Sequence, residues 1–242
     1  MQSTKMKNII RTNYPILEDS TDYEEIKVQC EKLEGQKVLW ILPWNKISLN
    51  EPESFNEAYL AHLKTSFSIA EKFSIEILLT PEINLFALPS WILDELTTLE
   101  AKNGLTKLEC YYLSLNETGQ NCLFSFFLAL FFAGNILFPE IKKDGELLKD
   151  FFQENCISAM KHCARRLKKA TNVLGFYFSK ILDPDFMYTH LKTIDSLSLN
   201  DTKIALKEKL PIETLKTQID SFKLSFASAF EKKHAQYVFI TE

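Results

Sequence analysis

Two hydrophobic patterns alternate along the 242-residue chain. Four continuous apolar runs are typical of strands that are buried on both faces of a parallel sheet. Between them, apolar residues recur three or four positions apart, which predicts amphipathic helices. The predicted strands are 37–44, 75–83, 172–182 and 236–242, and the predicted helices are 22–35, 52–73, 144–170 and 213–232. This alternation indicates an α/β fold in which helices pack on a parallel sheet.

The most apolar segment, residues 123–138, falls between the second and third predicted strands. No charged side chain occurs from Thr118 to Pro139. A membrane-spanning helix takes about 20 apolar residues, and here Asn121 and Pro139 bracket a shorter core with no basic cluster at either end. We therefore expect a buried helix up to about Ala133, and a transmembrane helix remains the alternative.

Composition excludes some classes of protein. A net charge of −4 gives no electrostatic reason to expect a nucleic-acid partner. The five cysteines form no CxxC pair and lie mostly in apolar patterns, which predicts buried thiols in a reducing compartment. The first residues contain no apolar core of a signal peptide, so we expect a cytoplasmic protein.

The four histidines show no metal-binding spacing, and the chain contains no Gly-rich phosphate loop or GxSxG motif. We therefore expect neither a metal ion nor a cofactor. His62 and His162 are expected on solvated faces of their helices.

Short motifs follow the predicted elements in a recognisable order. VLWILPW is followed by AEKFSIEILLTPE and then by LPSW. The apolar segment contains LFFAGN before a proline, the next polar helix leads to VLGFYF, and AFEKKHAQYVFITE comes last. In this order the motifs resemble glycoside hydrolase family 5, and most of all its endoglycoceramidase and steryl-glucosidase branch.

The resemblance covers roughly residues 20–242 and implies a partial (β/α)8 TIM barrel, made of about strands 1–5 with outer helices. Residues 1–20 would then be a lead-in, and 21–242 a single truncated barrel domain. The family's nucleophile lies on the seventh strand, which we expect this chain to lack.

The family uses two carboxylates that flank the sugar bond, and the resemblance implies that this chain has lost them. The position of the acid/base glutamate falls on Ile181, between Lys180 and Leu182. The Asp and His of the family's Asp-Pro-His fall on Thr80 and Glu82, and an Arg position falls near Leu39. We therefore expect a degenerate barrel, a pseudoenzyme that could persist as a carbohydrate-binding, glycolipid-binding or interaction module.

An active glycoside hydrolase with relocated carboxylates is the alternative. Glu82 lies at the carboxyl end of the second predicted strand, where barrel enzymes place catalytic groups, and Asp183 and Asp185 lie near the position of the missing glutamate. Each of the three could equally be a solvated loop or turn acid. Glu242 ends the last predicted strand and could be solvated as well.

Trp44 and Trp91 are candidate platforms for stacking a sugar ring, because aromatic faces offer a broad apolar surface. Packing in the core is the alternative for both side chains. Beyond a glycoside or glycolipid ligand, we expect self-association or a protein partner at an exposed barrel edge. A membrane-associated interaction protein that uses residues 122–138 is a third hypothesis.

Overall fold

The structure is a computed structural model. It describes residues 14–83, 87–92, 94, 131–136, 142–143, 146–178, 184–185, 210–231 and 238–241. The chain divides into two compact units. The first comprises Met1–Glu82, Ile157–Ile181 and Phe226–Glu242, and the second comprises Ile83–Cys156 and Leu182–Ser225.

The helices and strands follow the predicted order closely. The strands are β1 (Lys37–Pro43), β2 (Glu76–Glu82), β3 (Lys142–Lys143), β4 (Glu146–Leu147), β5 (Val173–Phe178) and β6 (Val238–Thr241). The helices are α1 (Tyr23–Lys32), α2 (Trp44–Ile47), α3 (Glu57–Lys72), α4 (Leu148–Leu167) and α5 (Ile212–Glu231). An α/β fold with parallel strands is thereby confirmed.

The first unit contains a four-stranded sheet in the order β1-β2-β5-β6, with every neighbouring pair parallel. Ile16 adds a parallel bridge on the other side of β1, where the Leu17 amide donates to the Leu39 carbonyl at 3.0 Å. Spatial order thus follows chain order across the sheet. Because crossovers between parallel strands are right-handed, this order places the connecting helices on one face.

The helix-facing side of the sheet is aromatic. Trp40, Leu79 and Phe176 lie opposite one another on β1, β2 and β5. Trp40 packs edge-on against Phe67 of α3, with ring centroids 5.0 Å apart. Phe176 lies 5.2 Å from Phe226 of α5. Because this face packs against helices, the strand residues that point to it are apolar.

The opposite face of the sheet is also buried. Leu39, Leu78 and Tyr177 form a fully buried cluster, and Tyr14 meets Tyr177 edge-on at 5.8 Å. Both faces of the strands are therefore covered, which explains the continuous apolar runs in the sequence.

Two helices of the first unit begin at side-chain caps. Asp22 Oδ1 accepts a hydrogen bond from the Glu24 amide at 2.9 Å, and Asn56 Oδ1 accepts one from the Tyr59 amide at 3.0 Å. Such caps satisfy amides that have no partner within the helix. The predicted start of the first helix at Asp22 is confirmed, and Gly35 follows in a left-handed conformation with φ of 69°.

The second unit is built around phenylalanine side chains. Phe131 and Phe132, in the helical residues 131–136, pack edge-on against Phe222 at 5.2 and 5.4 Å. The buried Gln153 side chain donates to the Phe131 carbonyl at 3.0 Å. Part of the segment predicted to be a buried helix is therefore helical and buried, and it continues beyond Ala133.

Two helix starts were predicted wrongly. The pattern placed the start of the second helix at Pro52, whereas Phe55 forms an antiparallel bridge with Ser48 and α3 begins at Glu57. The sequence pattern placed the start of the polar helix at Asp144, whereas β3 and β4 pair antiparallel there and α4 begins at Leu148. Of the apolar segment 123–138, only residues 131–136 belong to the described part of the chain. Among the helices that the structure describes, none has the length and apolar character needed to cross a membrane.

Candidate functional site at the carboxyl edge of the sheet

Parallel strands bring their carboxyl ends to one edge of the sheet. β1 ends at Pro43 and β2 ends at Glu82, and these two residues lie opposite each other. In parallel α/β sheets, ligands bind outside the carboxyl ends of the strands, so this edge is the candidate site.

The residues just below that edge are mostly uncharged. Ile41 of β1 is paired with Thr80 of β2. On β5, Phe176 is paired with Leu79, so the next residue, Tyr177, comes level with Thr80. Because side chains alternate along a strand, these three residues, here called the edge rung, face away from the helices. Thr80 is 3% exposed, and its hydroxyl has no hydrogen-bond partner among the described residues.

Glu82 lies two residues after Thr80, so its side chain is on the same face of β2, and it is half-buried. Leu39 lies near the position of an Arg in the family that the motifs resemble, and it is fully buried. A single carboxylate can act as an acid or a base, but glycoside hydrolysis takes two. Glu82 alone would not meet this requirement, and a catalytic role for it stays a prediction.

The other candidate carboxylates belong to the second unit or lie outside the described residues. Asp185 is exposed and belongs to the second unit. Asp183 and Glu242 lie outside the described residues, as do Lys180, Ile181 and Leu182. Their assignments remain predictions.

The two candidate tryptophans lie in packed surroundings. Trp44 is 0% exposed at the start of α2, and Trp91 is 7% exposed. Trp91 packs edge-on against Phe151 with ring centroids 5.9 Å apart. These positions agree with the core-packing alternative, and a sugar-stacking role remains a prediction.

Sequence reasoning missed a charged cluster on the helix side of the first unit. Asp19 Oδ1 lies 2.8 Å from His62 Nε2, and Asp19 Oδ2 accepts a hydrogen bond from Lys46 Nζ at 2.8 Å. The Tyr23 ring stacks on the His62 ring at 5.4 Å. Burial alone would raise the pKa of Asp19, but the bonds and charges of Lys46 and His62 hold it below its ordinary value. This cluster joins the segment before α1 to α2 and α3.

The prediction that His162 is solvated was wrong. The side chain is 8% exposed, and its ring stacks on Phe55 with centroids 4.0 Å apart. Arg165 donates to Nδ1 at 2.6 Å, so the ring proton resides on Nε2, which donates to Glu57 Oε1 at 2.7 Å. A hydrogen bond from Arg166, with a smaller contribution from His162, holds the pKa of Glu57 below its ordinary value.

The cysteines behave as predicted where the structure describes them. Cys30, Cys156 and Cys163 are buried free thiols. Burial raises the pKa of Cys30 to about 11 and that of Cys163 to about 12, so both stay protonated and unreactive at neutral pH. Within the described ranges, no three His, Cys, Asp or Glu side chains are arranged to hold a metal ion.

Comparison with known proteins gives a fold but no family. No protein-family model matches the chain, and no curated protein matches it. The fold resembles crystal structures of Cryptococcus neoformans sterylglucosidase 1, one with hit 1 (TM-score 0.51, 18% identity) and one with tris (TM-score 0.51, 17% identity). Each match covers 65% of this chain and 26% of the enzyme, so this chain spans only a small part of that protein's length.

At this level of identity the likeness concerns the fold alone. The chain has a glycosidase-like arrangement of helices and parallel strands, which is the coarse part of what the motif order predicted.

Proposed function

We propose that this chain is a barrel domain related to glycoside hydrolase family 5 that binds a glycoside or glycolipid and does not hydrolyse it. The observation that carries the proposal is the edge rung: where the related family has an Asp, this chain has Thr80, buried beside Ile41 and Tyr177.

Strand order supports the barrel. Four parallel strands, with Ile16 bridged to the side of β1, lie side by side in the order in which the chain visits them. A doubly wound sheet would instead reverse its strand order at a switch point. Successive strands with helices on one face are what the wall of a (β/α)8 barrel needs.

The absence of hydrolysis follows from the chemistry of the related family. Its two carboxyl groups must stand about 5–5.5 Å apart for retention, or about 6.5–9.5 Å for inversion. The acid/base position falls on Ile181, three residues beyond the last residue of β5, and an isoleucine has no proton to transfer. Loss of the general acid alone typically lowers the rate about 10²–10⁴-fold.

The edge rung also suggests how a ligand would be held. A buried hydroxyl without a partner costs about 1–3 kcal/mol, and Thr80 has such a hydroxyl. Because the Thr80 hydroxyl is buried, a sugar would reach it only after the side chains above it moved, whereas the half-buried Glu82 would accept from a sugar hydroxyl directly. The fold likeness to a sterylglucosidase makes a lipid-linked β-glucoside the first ligand to test.

The test combines binding with turnover. Soluble β-glucosides, and steryl β-glucoside in detergent, are titrated into the wild type and into Thr80→Val while NMR shifts are followed. We expect saturable shifts that Thr80→Val weakens, and no cleavage of a fluorogenic β-glucoside. Absence of saturable binding to every glycoside would overturn the binding role.

Turnover would instead favour an active hydrolase with relocated carboxylates. The matched control is the triple variant Glu82→Gln, Asp183→Asn, Asp185→Asn. Release of the fluorophore by the wild type that this variant abolishes would contradict the proposal and assign catalysis to those three carboxylates.

Self-association belongs to the same proposal. An unpaired sheet edge offers backbone groups to a second chain, so we expect a dimer or larger assembly at micromolar concentration. Light scattering measures this directly, and a monodisperse monomer would refute it without affecting the proposed ligand.

A further inference from the structure

One stretch of the chain contains no acidic residue. Between Glu154 and Asp183 the sequence has neither Asp nor Glu, although the whole chain has 32 of them. The end of α4 and the turn that follows it carry five cations: Lys161, Arg165, Arg166, Lys168 and Lys169. In a chain whose net charge is −4, positive charge is therefore concentrated at this place.

Four of these cations are exposed on one surface. Lys161, Arg165 and Lys168 follow one another at intervals of four and three positions, which places them on the same side of the helix end. Lys169 comes next, in the turn after α4. All four side chains are exposed, and together they are here called the α4 basic face.

The carboxylates that lie near this face are bonded to other groups. Glu57 of α3 accepts from His162 at 2.7 Å and pairs with Arg166 at 2.8 Å. Glu71, at the other end of α3, accepts a hydrogen bond from the Thr171 hydroxyl. Among the described residues, no ion pair joins a carboxylate to a cation of the α4 basic face. The face therefore keeps its positive charge.

The apolar side of α4 is occupied by the core of the first unit. Ala159, Met160, Cys163 and Leu167 are all buried. While the fold is intact, α4 therefore cannot insert an apolar side into a bilayer, and any contact made by the α4 basic face is electrostatic.

We propose that the α4 basic face binds the surface of a membrane that contains anionic lipids. Clusters of about four to eight Lys and Arg residues on a helix suit such headgroups. Three of the four cations are lysines, whose compact charge on a flexible stem adapts to mobile headgroups, whereas bidentate recognition of one fixed phosphate or carboxylate favours arginine. The same membrane repels the acidic remainder of the chain, so this face turns toward it. The proposal does not depend on the sugar site at the strand ends.

Sedimentation with vesicles that contain no glycoside tests this surface alone. With phosphatidylcholine vesicles that contain about one-third phosphatidylserine, we expect binding at about 0.1 M salt and release at about 1 M salt, where the Debye length falls to about 3 Å. Vesicles of phosphatidylcholine alone should not bind the protein. Absence of binding to the anionic vesicles, equal binding to both kinds, or binding that survives the high salt would overturn the proposal.

Two matched pairs of substitutions assign the binding to this face. Each cation near an anionic surface contributes about fivefold to binding, so Lys161→Gln with Lys168→Gln should weaken it about 25-fold. Lys27→Gln with Lys32→Gln removes the same charge from the exposed side of α1 and should leave binding nearly unchanged. Equal effects of the two pairs, whether large or absent, would overturn the proposal. Tighter binding to polyglutamate or to an oligonucleotide than to the anionic vesicles would do so as well.

Discussion

Two polar regions of the first unit differ in how their groups are satisfied. On the helix side, Lys46 and His62 each bond the Asp19 carboxylate at 2.8 Å. On the opposite face, at the carboxyl edge of β2, the Thr80 hydroxyl is buried with no partner among the described residues. Among the described residues, Asp19, Lys46 and His62 therefore join helices through charged groups, whereas the three residues of the edge rung carry no charge.

This comparison distinguishes polar residues that hold the fold together from polar residues that could contact a substrate. The helix-side cluster is paired, so it offers little to a substrate. In the edge rung Ile41 is apolar and Thr80 and Tyr177 carry one hydroxyl each, so these three residues contain no acid–base pair. This difference is the basis of the proposal that the edge holds a sugar without cleaving it.

The largest expected effect concerns the apolar contact beneath the helix-side cluster. Phe67→Ala removes the ring that packs on Trp40 and should lower the free energy of unfolding by about 3–5 kcal/mol. Lys64→Ala, on the exposed side of the same helix, should change it by less than about 0.5 kcal/mol. Urea unfolding measures both, and equal effects would show that α3 does not pack as described.

At the edge rung, Thr80→Val should raise stability. Valine has nearly the same shape and removes an unsatisfied hydroxyl, which is worth about 1–3 kcal/mol. Thr80→Ser keeps the hydroxyl and loses a methyl group, so it should lower stability by about 1 kcal/mol. If Thr80→Val destabilises the protein in thermal unfolding, the hydroxyl has a partner and the contrast between the two regions fails.

In the helix-side cluster, Asp19→Asn should cost about 1 kcal/mol at neutral pH, a value reduced for partial solvent exposure. The folded pKa of Asp19 lies below its ordinary value of 3.8. Ionised Asp19 therefore stabilises the fold above that pH, and its contribution is lost as the pH falls through the lowered folded value.

Urea midpoints measured from pH 7 down to pH 2 test this sign. The gap between wild type and Asp19→Asn should close toward the acid end. A gap that stays constant or widens there would show that the Asp19 charge does not stabilise the fold.

The smallest effect is expected at Glu57. Its carboxylate pairs with Arg166 at 2.8 Å but is half exposed, and such surface pairs contribute about 0–1 kcal/mol. Glu57→Gln keeps an oxygen that can accept from His162, so a loss of a few tenths of a kcal/mol is expected. A loss comparable to that of Phe67→Ala in urea unfolding would mean that the pair is structurally central.

The framework was predictable because its signals are local. The apolar run from Lys37 to Pro43 predicts a strand that is buried on both faces. In the structure, Phe67 packs on one face of this strand, and on the other face Leu39 belongs to the buried cluster with Leu78 and Tyr177. Cap residues such as Asp22 mark helix starts in the same local way.

The polar contacts were not predictable because they join distant residues. Asp19 and His62 are 43 positions apart, and Glu57 and His162 are 105 apart. No periodic pattern encodes such pairs, and His162 therefore looked solvated. The partnerless Thr80 hydroxyl likewise emerges only from strand register, which places it opposite Ile41.

The most direct test of a sugar site without cleavage is a single-turnover experiment. The protein is mixed in excess with steryl β-glucoside, and bound glycoside and released glucose are both quantified over time. We predict that the glycoside is retained and recovered intact. Stoichiometric release of glucose, lost in the Glu82→Gln, Asp183→Asn, Asp185→Asn variant, would contradict the account.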